Sequence, residues 1–466
     1  MLTLASVQQA TNTAAVTDYL ETVVLPGTGW ALIEARRRYV RLEPPETYWA
    51  MYEVRLGRGE ARRPQDGAEA LPDSPTEAAY PEERELRLVA RASFKPEAWA
   101  NYAERVSRLY GDRDADPLGG LGVPRFFHDS QHVIWFFPVD PSLPALAAAN
   151  DPSRVLRLFR TFKRDLLDVP ARIRAVDVRL AKYVPEINGI FEYTLHTQPT
   201  AAGRRVFGKV QVGERGRRTW EVMSRLWQAA RASDERLSIT RPIGYYPALA
   251  LYLEEAAEGK AVGGDRTAEV FQRMAVKAAE ACATIQQSGI QPDSRYQIED
   301  ELTRLDQVLD QFALVHPSGH FLLRELLLHV RSKLARTSEE DLLPCHGDLK
   351  YDQFIVDAHG ELRLIDFDYF TLAETSADLA RFSSYVFPSM PLGWEQSIAG
   401  EAARKAFLDR YREIRPDATL QRFQLYEAVM LALRAMTTMW SQQRGWEAAI
   451  EALLVMAMER LNSRLP

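Results

Sequence analysis

Pro344-Cys345-His346-Gly347-Asp348-Leu349-Lys350-Tyr351-Asp352-Gln353-Phe354 is followed shortly by Leu364-Ile365-Asp366-Phe367-Asp368. Between the two aspartates, Phe354–Asp357 and Leu362–Ile365 read as short strands around Ala358-His359-Gly360, a turn signal. A tight hairpin returns the chain close to its origin. Asp348, just before it, and Asp366, just after it, therefore reach one cleft. Gln353 offers a neutral amide oxygen to the same place.

Working outward, this hairpin stands alone among helices. Apolar residues at helical spacing cover 266–288, 297–314, 321–335, 400–414, 420–440 and 446–461. Upstream the pattern is strand-rich. Val176–Val184 leads to a turn at Asn188-Gly189, then to strands Phe191–Thr197 and Arg205–Val212, a helix over 217–230 and a strand at Ala250–Glu254. Lys209 falls on the inward side of its strand by alternation. The chain is thus expected to be α+β, with an antiparallel sheet ahead of a helical region.

Two carboxylates and an amide oxygen across one cleft suit phosphoryl transfer. That reaction needs a carboxylate near the attacking hydroxyl and ligands for the cations that neutralise the phosphates. The segment resembles the catalytic and metal loops of the aminoglycoside phosphotransferase and choline-kinase-like family, within the protein-kinase-like fold. His346-Gly347-Asp348 matches the first part of its pattern and Ile365-Asp366-Phe367 the second, while Ala377-Asp378-Leu379-Ala380 resembles the buttress of its catalytic loop. Gln353 stands where most members carry Asn, a choice shared with the maltose- and glucosamine-phosphorylating branch.

The resemblance covers about 175–466 and implies a bilobal unit: residues 171–260 an ATP-binding N-lobe, 261–466 a helical C-lobe. It implies that Asp348 orients the acceptor, that Asp366 and Gln353 hold Mg2+, and that His346 and Asp378 support the loop. Lys209 resembles the strand lysine that contacts the α- and β-phosphates, with Glu221 as its natural partner and Glu214 as a competitor. Asn188 and Gly189 occupy the place of the phosphate-covering turn. Glu254 and Ala256 lie in the hinge that meets adenine. The implied partner is a small-molecule hydroxyl acceptor, with a sugar, amino sugar or aminoglycoside preferred on Gln353 and on Trp394, Trp440 and Trp446. The competing reading is a non-catalytic, pseudokinase-like nucleotide-binding protein.

Residues 1–170 form a further α+β domain. Residues 57–85, rich in Pro, Gly and charge, read as a long hairpin loop between Tyr48–Leu56 and Leu86–Ser93. A helix at Pro96–Tyr110 and strand-like Val133–Val139 follow. Tyr102-Ala-Glu-Arg-Val-Ser-Arg-Leu-Tyr110 resembles Trp220-Glu-Val-Met-Ser-Arg-Leu-Trp227, which suggests a degenerate repeat of the N-lobe, with an unrelated domain as the alternative. In such a repeat Arg91 or Ala92 stands where Lys209 does, and ATP is not expected to bind productively. A scaffold, a dimer surface or a lid over the acceptor are the roles this leaves.

Composition narrows the classes further. Of 466 residues 46% are apolar and 26% charged, as in a globular protein, and the net charge of -6 supplies no polycation for nucleic acid. Arg36-Arg37-Arg38 is a short run that reads as a solvated face. No stretch of about eighteen apolar residues spans a membrane. The start does not read as a signal peptide, and Cys282 and Cys345 form neither a disulfide framework nor a zinc site. A cytoplasmic protein is expected.

Overall fold

The computed structural model describes residues 13–43, 47–58, 82–93, 95–110, 124–127, 131–167, 171–198, 203–233, 236–262, 268–387, 394–441 and 444–463. Most of the 57–85 loop lies outside them. The chain divides into two compact units, one of residues 1–147 with 184–187, the other of 148–183 with 188–466.

In the first unit, helix α1 (Thr13–Tyr19) precedes strands β1 (Trp30–Glu43), β2 (Thr47–Arg58) and β3 (Glu82–Ser93), helix α2 (Pro96–Tyr110), and strands β4 (Arg125–Phe127) and β5 (His132–Phe136). The sheet runs β1-β2-β3-β5-β4. Its core joins Tyr52, Val54, Leu88, Val89 and Trp135 to Trp99, Tyr102 and Val106 of α2. Strand β1 includes Arg36–Arg38, which are exposed, so the charge run is a solvated strand face.

The second unit opens with helix α3 (Pro152–Thr161), capped by Asp151 accepting from the backbone of Ser153 and Arg154. Strands β6 (Arg172–Val184), β7 (Asn188–Gln198) and β8 (Arg204–Gln211), helix α4 (Arg215–Arg231), and strands β9 (Pro242–Tyr246) and β10 (Leu251–Glu255) follow. This sheet runs β6-β7-β8-β10-β9. Both sheets therefore have one strand order, with a helix after the third strand. Arg91 and Lys209 each sit two residues before the end of that third strand.

Strand β11 (Lys260–Ala261) leads to helices α5 (Ala268–Gln287), α6 (Ile298–Val315) and α7 (Pro317–Leu334). Then come β12 (Leu342–Cys345), β13 (Phe354–Val356), β14 (Leu362–Leu364) and β15 (Thr371–Glu374), and helices α8 (Ser376–Tyr385), α9 (Trp394–Ile414), α10 (Phe423–Ser441) and α11 (Trp446–Asn462). Helix α10 is buried along nearly its whole length, which explains its almost unbroken apolar sequence. Arg404 on α9 binds Glu427 on α10 with both carboxylate oxygens, at 2.7 and 2.8 Å. Such pairing is what permits charge in a helical core.

The short strands position the chemistry. Strand β13 pairs antiparallel with β14, and β12 with β15. The 346–353 loop joins β12 to β13, and the 365–370 loop joins β14 to β15. Because both strand pairs are zipped, the two loops are held opposite one another.

Candidate active site

His346 is the pivot of the first loop. It is fully buried, its Nδ1 accepts from the backbone N–H of Asp348 at 3.2 Å, and its Nε2 lies 3.0 Å from the carbonyl of Ile365. That pattern places the proton on Nε2. Neutral His346 thereby ties the loop of Asp348 to the loop of Asp366. Asp378, at the start of α8, closes the other side: its carboxylate accepts from the backbone N–H of His346 at 2.6 Å and of Gly347 at 3.0 Å. Gly347 has φ +80°, and a Cβ there would lie 2.0 Å from the carbonyl oxygen of Tyr369. Only glycine satisfies both conditions.

Asp348 stands at the loop's tip. Its Oδ2 accepts from Lys350 Nζ and from Gln353 Nε2, each at 3.0 Å, and its Oδ1 lies 3.8 Å from Arg381 Nη1. Burial works against the Lys350 ammonium, but Asp348 and Asp352 outweigh it and raise the pKa above the ordinary lysine range. With its nitrogen committed to Asp348, Gln353 keeps its amide oxygen as the end able to meet a cation.

The sheet delivers the second half of the site. Lys209 on β8, 5% exposed, puts Nζ 2.9 Å from Asp366 Oδ1 and 3.4 Å from Asp368 Oδ1. Burial would lower its pKa, but Asp366, Asp368 and Glu254 together hold it well above the usual value. Burial likewise opposes the charge on Asp366, yet Lys209 holds that carboxyl below the usual carboxylate range. Asp368, more deeply buried and beside Asp366, goes the other way, pushed up by burial against the pull of Lys209. Gln211 Nε2 donates to Asp368 Oδ2 at 2.6 Å and Thr219 Oγ1 to its Oδ1 at 3.3 Å. Asp366 itself has φ +71°, a left-handed conformation.

The structure thus brings together Asp348, Gln353, His346 and Asp378 on one side and Lys209 with Asp366 on the other. It does not bring Glu221 to Lys209. Glu221 is exposed and pairs with Arg217 at 2.5 Å, and Arg217 also takes Glu214 at 2.6 Å. The cause is helix phase. Thr219 faces Asp368, and a residue two positions on lies about 200° around the helix. Asn188 and Gly189 sit in the first ladder pairs of β7, opposite Gln211 and Val210, so the turn proper is 184–187. Glu254 is buried and accepts from Thr240 and Tyr252, while the backbone N–H of Ala256 meets the carbonyl of Arg205 at 3.4 Å.

Residues not assigned from sequence are Lys350, Arg381, Gln211, Thr219 and Asp368. Gln211 follows from the same alternation that turns Lys209 inward, and Lys350 lies two residues from Asp348. Trp440 and Trp446 do not line the cavity beside Asp348. Trp440 is buried and Trp446 packs on His316 at 5.7 Å, while the Trp394 side chain lies outside the described set.

Asp366, Asp368 and Gln353 offer only oxygen ligands, the donor chemistry of Mg2+. Among the described residues no group of three or more His, Cys, Asp and Glu is poised to hold a metal alone.

Residues 247–426 match the family described as phosphotransferase enzyme family. The match covers less than half of the chain. It takes in the 251–256 segment, both loops and α8, and leaves Lys209, Gln211 and Thr219 outside it. Among solved structures, a choline/ethanolamine kinase family protein from Mesorhizobium loti is 16% identical, with TM-score 0.41, over 62% of this chain and 88% of that one. A choline kinase from Streptococcus pneumoniae is 15% identical, with TM-score 0.43, over 66% and 99%. An aminoglycoside phosphotransferase is 12% identical, with TM-score 0.45, over 66% and 98%. No curated protein matches the chain. No helix among the described residues is long and apolar enough to cross a membrane.

Proposed function

We propose that the second unit transfers the terminal phosphoryl group of ATP to a hydroxyl of a small polar molecule. The observation that carries this reading is the approach of Lys209 Nζ to Asp366 at 2.9 Å, which joins the sheet to the catalytic loops across 157 residues of sequence. Asp348 orients the acceptor hydroxyl and takes its proton. Lys350, beside it, holds the carboxylate in place and offers positive charge to the group in transfer. Lys209 turns from the two aspartates to the nucleotide phosphates when these enter. The backbone of 251–256 receives adenine. Asp366 and Gln353, with Asp368 behind them, would hold Mg2+, which would supply charge neutralisation on the phosphates.

The test incubates the protein with ATP, Mg2+ and a panel of sugars, polyols and amino alcohols, and reads mass gain of one phosphate. Asp348→Asn is expected to lower transfer by about 10²–10⁴-fold, the usual contribution of a positioned acid or base. Unchanged transfer in that variant sinks the assignment.

A further inference from the structure

We infer that the acceptor at this site carries an anionic group, a phosphate or a carboxylate, read by arginines of α4 and of the 290–296 segment. The inference rests on the transfer reading above and narrows its substrate. A cavity of about 970 Å³ opens beside Asp348, lined by Lys350, Arg381, Arg215, Arg218, Arg225 and Arg295. Lys209, the 251–255 strand and 188–189 are not among its walls, so it stays clear of the adenine side and runs from Asp368 and Thr219 past Asp348 to the 290–296 segment.

Cations and carboxylates line it in nearly equal number, but their pairing is uneven. Its carboxylates are mostly engaged: Asp348 by Lys350 and Arg381, Asp368 by Lys209, Glu214 and Glu221 by Arg217, Glu301 by Arg304. Among the described residues Asp293 is the one lining carboxylate without a cation. Arg218, Arg225 and Arg295 have no carboxylate partner there, and Arg215 has only the ring of Tyr369, at 5.4 Å. Arg215, Arg218 and Arg225 recur at spacings of three and seven residues, which puts them on one face of α4, and that face borders the cavity.

Unpaired guanidinium groups around a proton-accepting carboxylate favour an acceptor that brings its own negative charge. Guanidinium forks match phosphate and carboxylate oxygens two at a time. A polycationic acceptor meets like charge at each of these positions, with one free carboxylate to offset it. A neutral sugar leaves the arginines without a partner.

The nucleotide phosphates are the other anion within the arginines' chemistry, and the experiment separates the two. Calorimetric titration of the full chain uses inorganic phosphate, glucose 6-phosphate, glucose and glucosamine, each in the presence of a non-hydrolysable ATP analogue with Mg2+. The analogue is also titrated alone. The expected result is that glucose 6-phosphate binds at least tenfold more tightly than glucose or glucosamine. Arg225→Glu and Arg295→Glu, both at exposed positions, should abolish most of that preference and leave analogue affinity within twofold.

Equal or tighter binding of glucosamine overturns the inference. So does failure of both anions to bind, or a loss confined to the analogue in the charge-reversed variants. Unfolding curves of both variants confirm that they fold. Retained transfer in Asp348→Asn refutes the transfer reading without touching anion preference, whereas faster transfer to neutral or cationic acceptors refutes the inference alone.

Discussion

Lys209→Met keeps the apolar stem and deletes the charge between Asp366 and Asp368. Lys209 is 5% exposed, and the side chains of Asp366 and Asp368 are 21% and 4% exposed. Removing one partner of a buried ion pair costs about 3–5 kcal/mol, because the remaining charge is stranded. For a unit of about 300 residues each kcal/mol moves Tm by about 1.6 °C, so the transition should fall by about 5–8 °C at pH 8.

The pH dependence carries the sharper test. In the wild type Asp366 is held low, so its contribution is present above the unfolded value of about 4 and lost as pH falls through the lower folded value. Without Lys209 both folded carboxyls move up. A raised carboxyl favours the folded state below its unfolded pKa and loses that contribution as pH rises through the folded one. The variant therefore regains stability from pH 8 towards pH 5, and its deficit should shrink to below about 2 kcal/mol. Urea unfolding of both proteins at each pH reads this directly. A deficit under about 1 kcal/mol at pH 8, or one that widens in acid, refutes the buried-triad account.

Three further outcomes are expected. Gly347→Ala should abolish transfer and cost about 1–3 kcal/mol in urea unfolding, because its Cβ would meet the Tyr369 carbonyl at 2.0 Å. Asp378→Ala strands two backbone N–H groups and should cost about 2–5 kcal/mol, with Asp378→Asn intermediate since one acceptor oxygen remains; unfolding and turnover, compared across the pair, check it. Asp368 is raised to about 6, so its contribution is full below about 4 and lost as pH rises through about 6. The wild type should therefore gain about 1–2 kcal/mol over Asp368→Asn between pH 7.5 and pH 5, read by unfolding at each pH.

The loops were legible because their geometry is local. A strand pair on either side of Asp348 and Asp366 leaves little freedom for where the carboxylates go, and the hairpin register Phe354↔Leu364 supplies it. The side chain behind Lys209 was not legible, since it depends on the phase of α4 against the sheet. A helix starting at Arg215 turns Thr219 inward and Glu221 outward, and only packing fixes that start. Strand β1 hid behind Arg36–Arg38, whose exposed charges mask a long strand. The charge balance of the acceptor cavity was equally invisible, because it joins α4, α6, α8 and the 290–296 segment from distant parts of the chain.

Asp366 holds a left-handed backbone at φ +71°, a conformation that costs a non-glycine residue on the order of 1 kcal/mol. Glycine would relieve that strain, but it would strand the buried Lys209, and the loss of the ion pair outweighs the strain several-fold. The ammonium of β8 therefore pins the 365–370 loop in a conformation its own backbone disfavours. A screen for stability alone should keep the carboxylate at position 366.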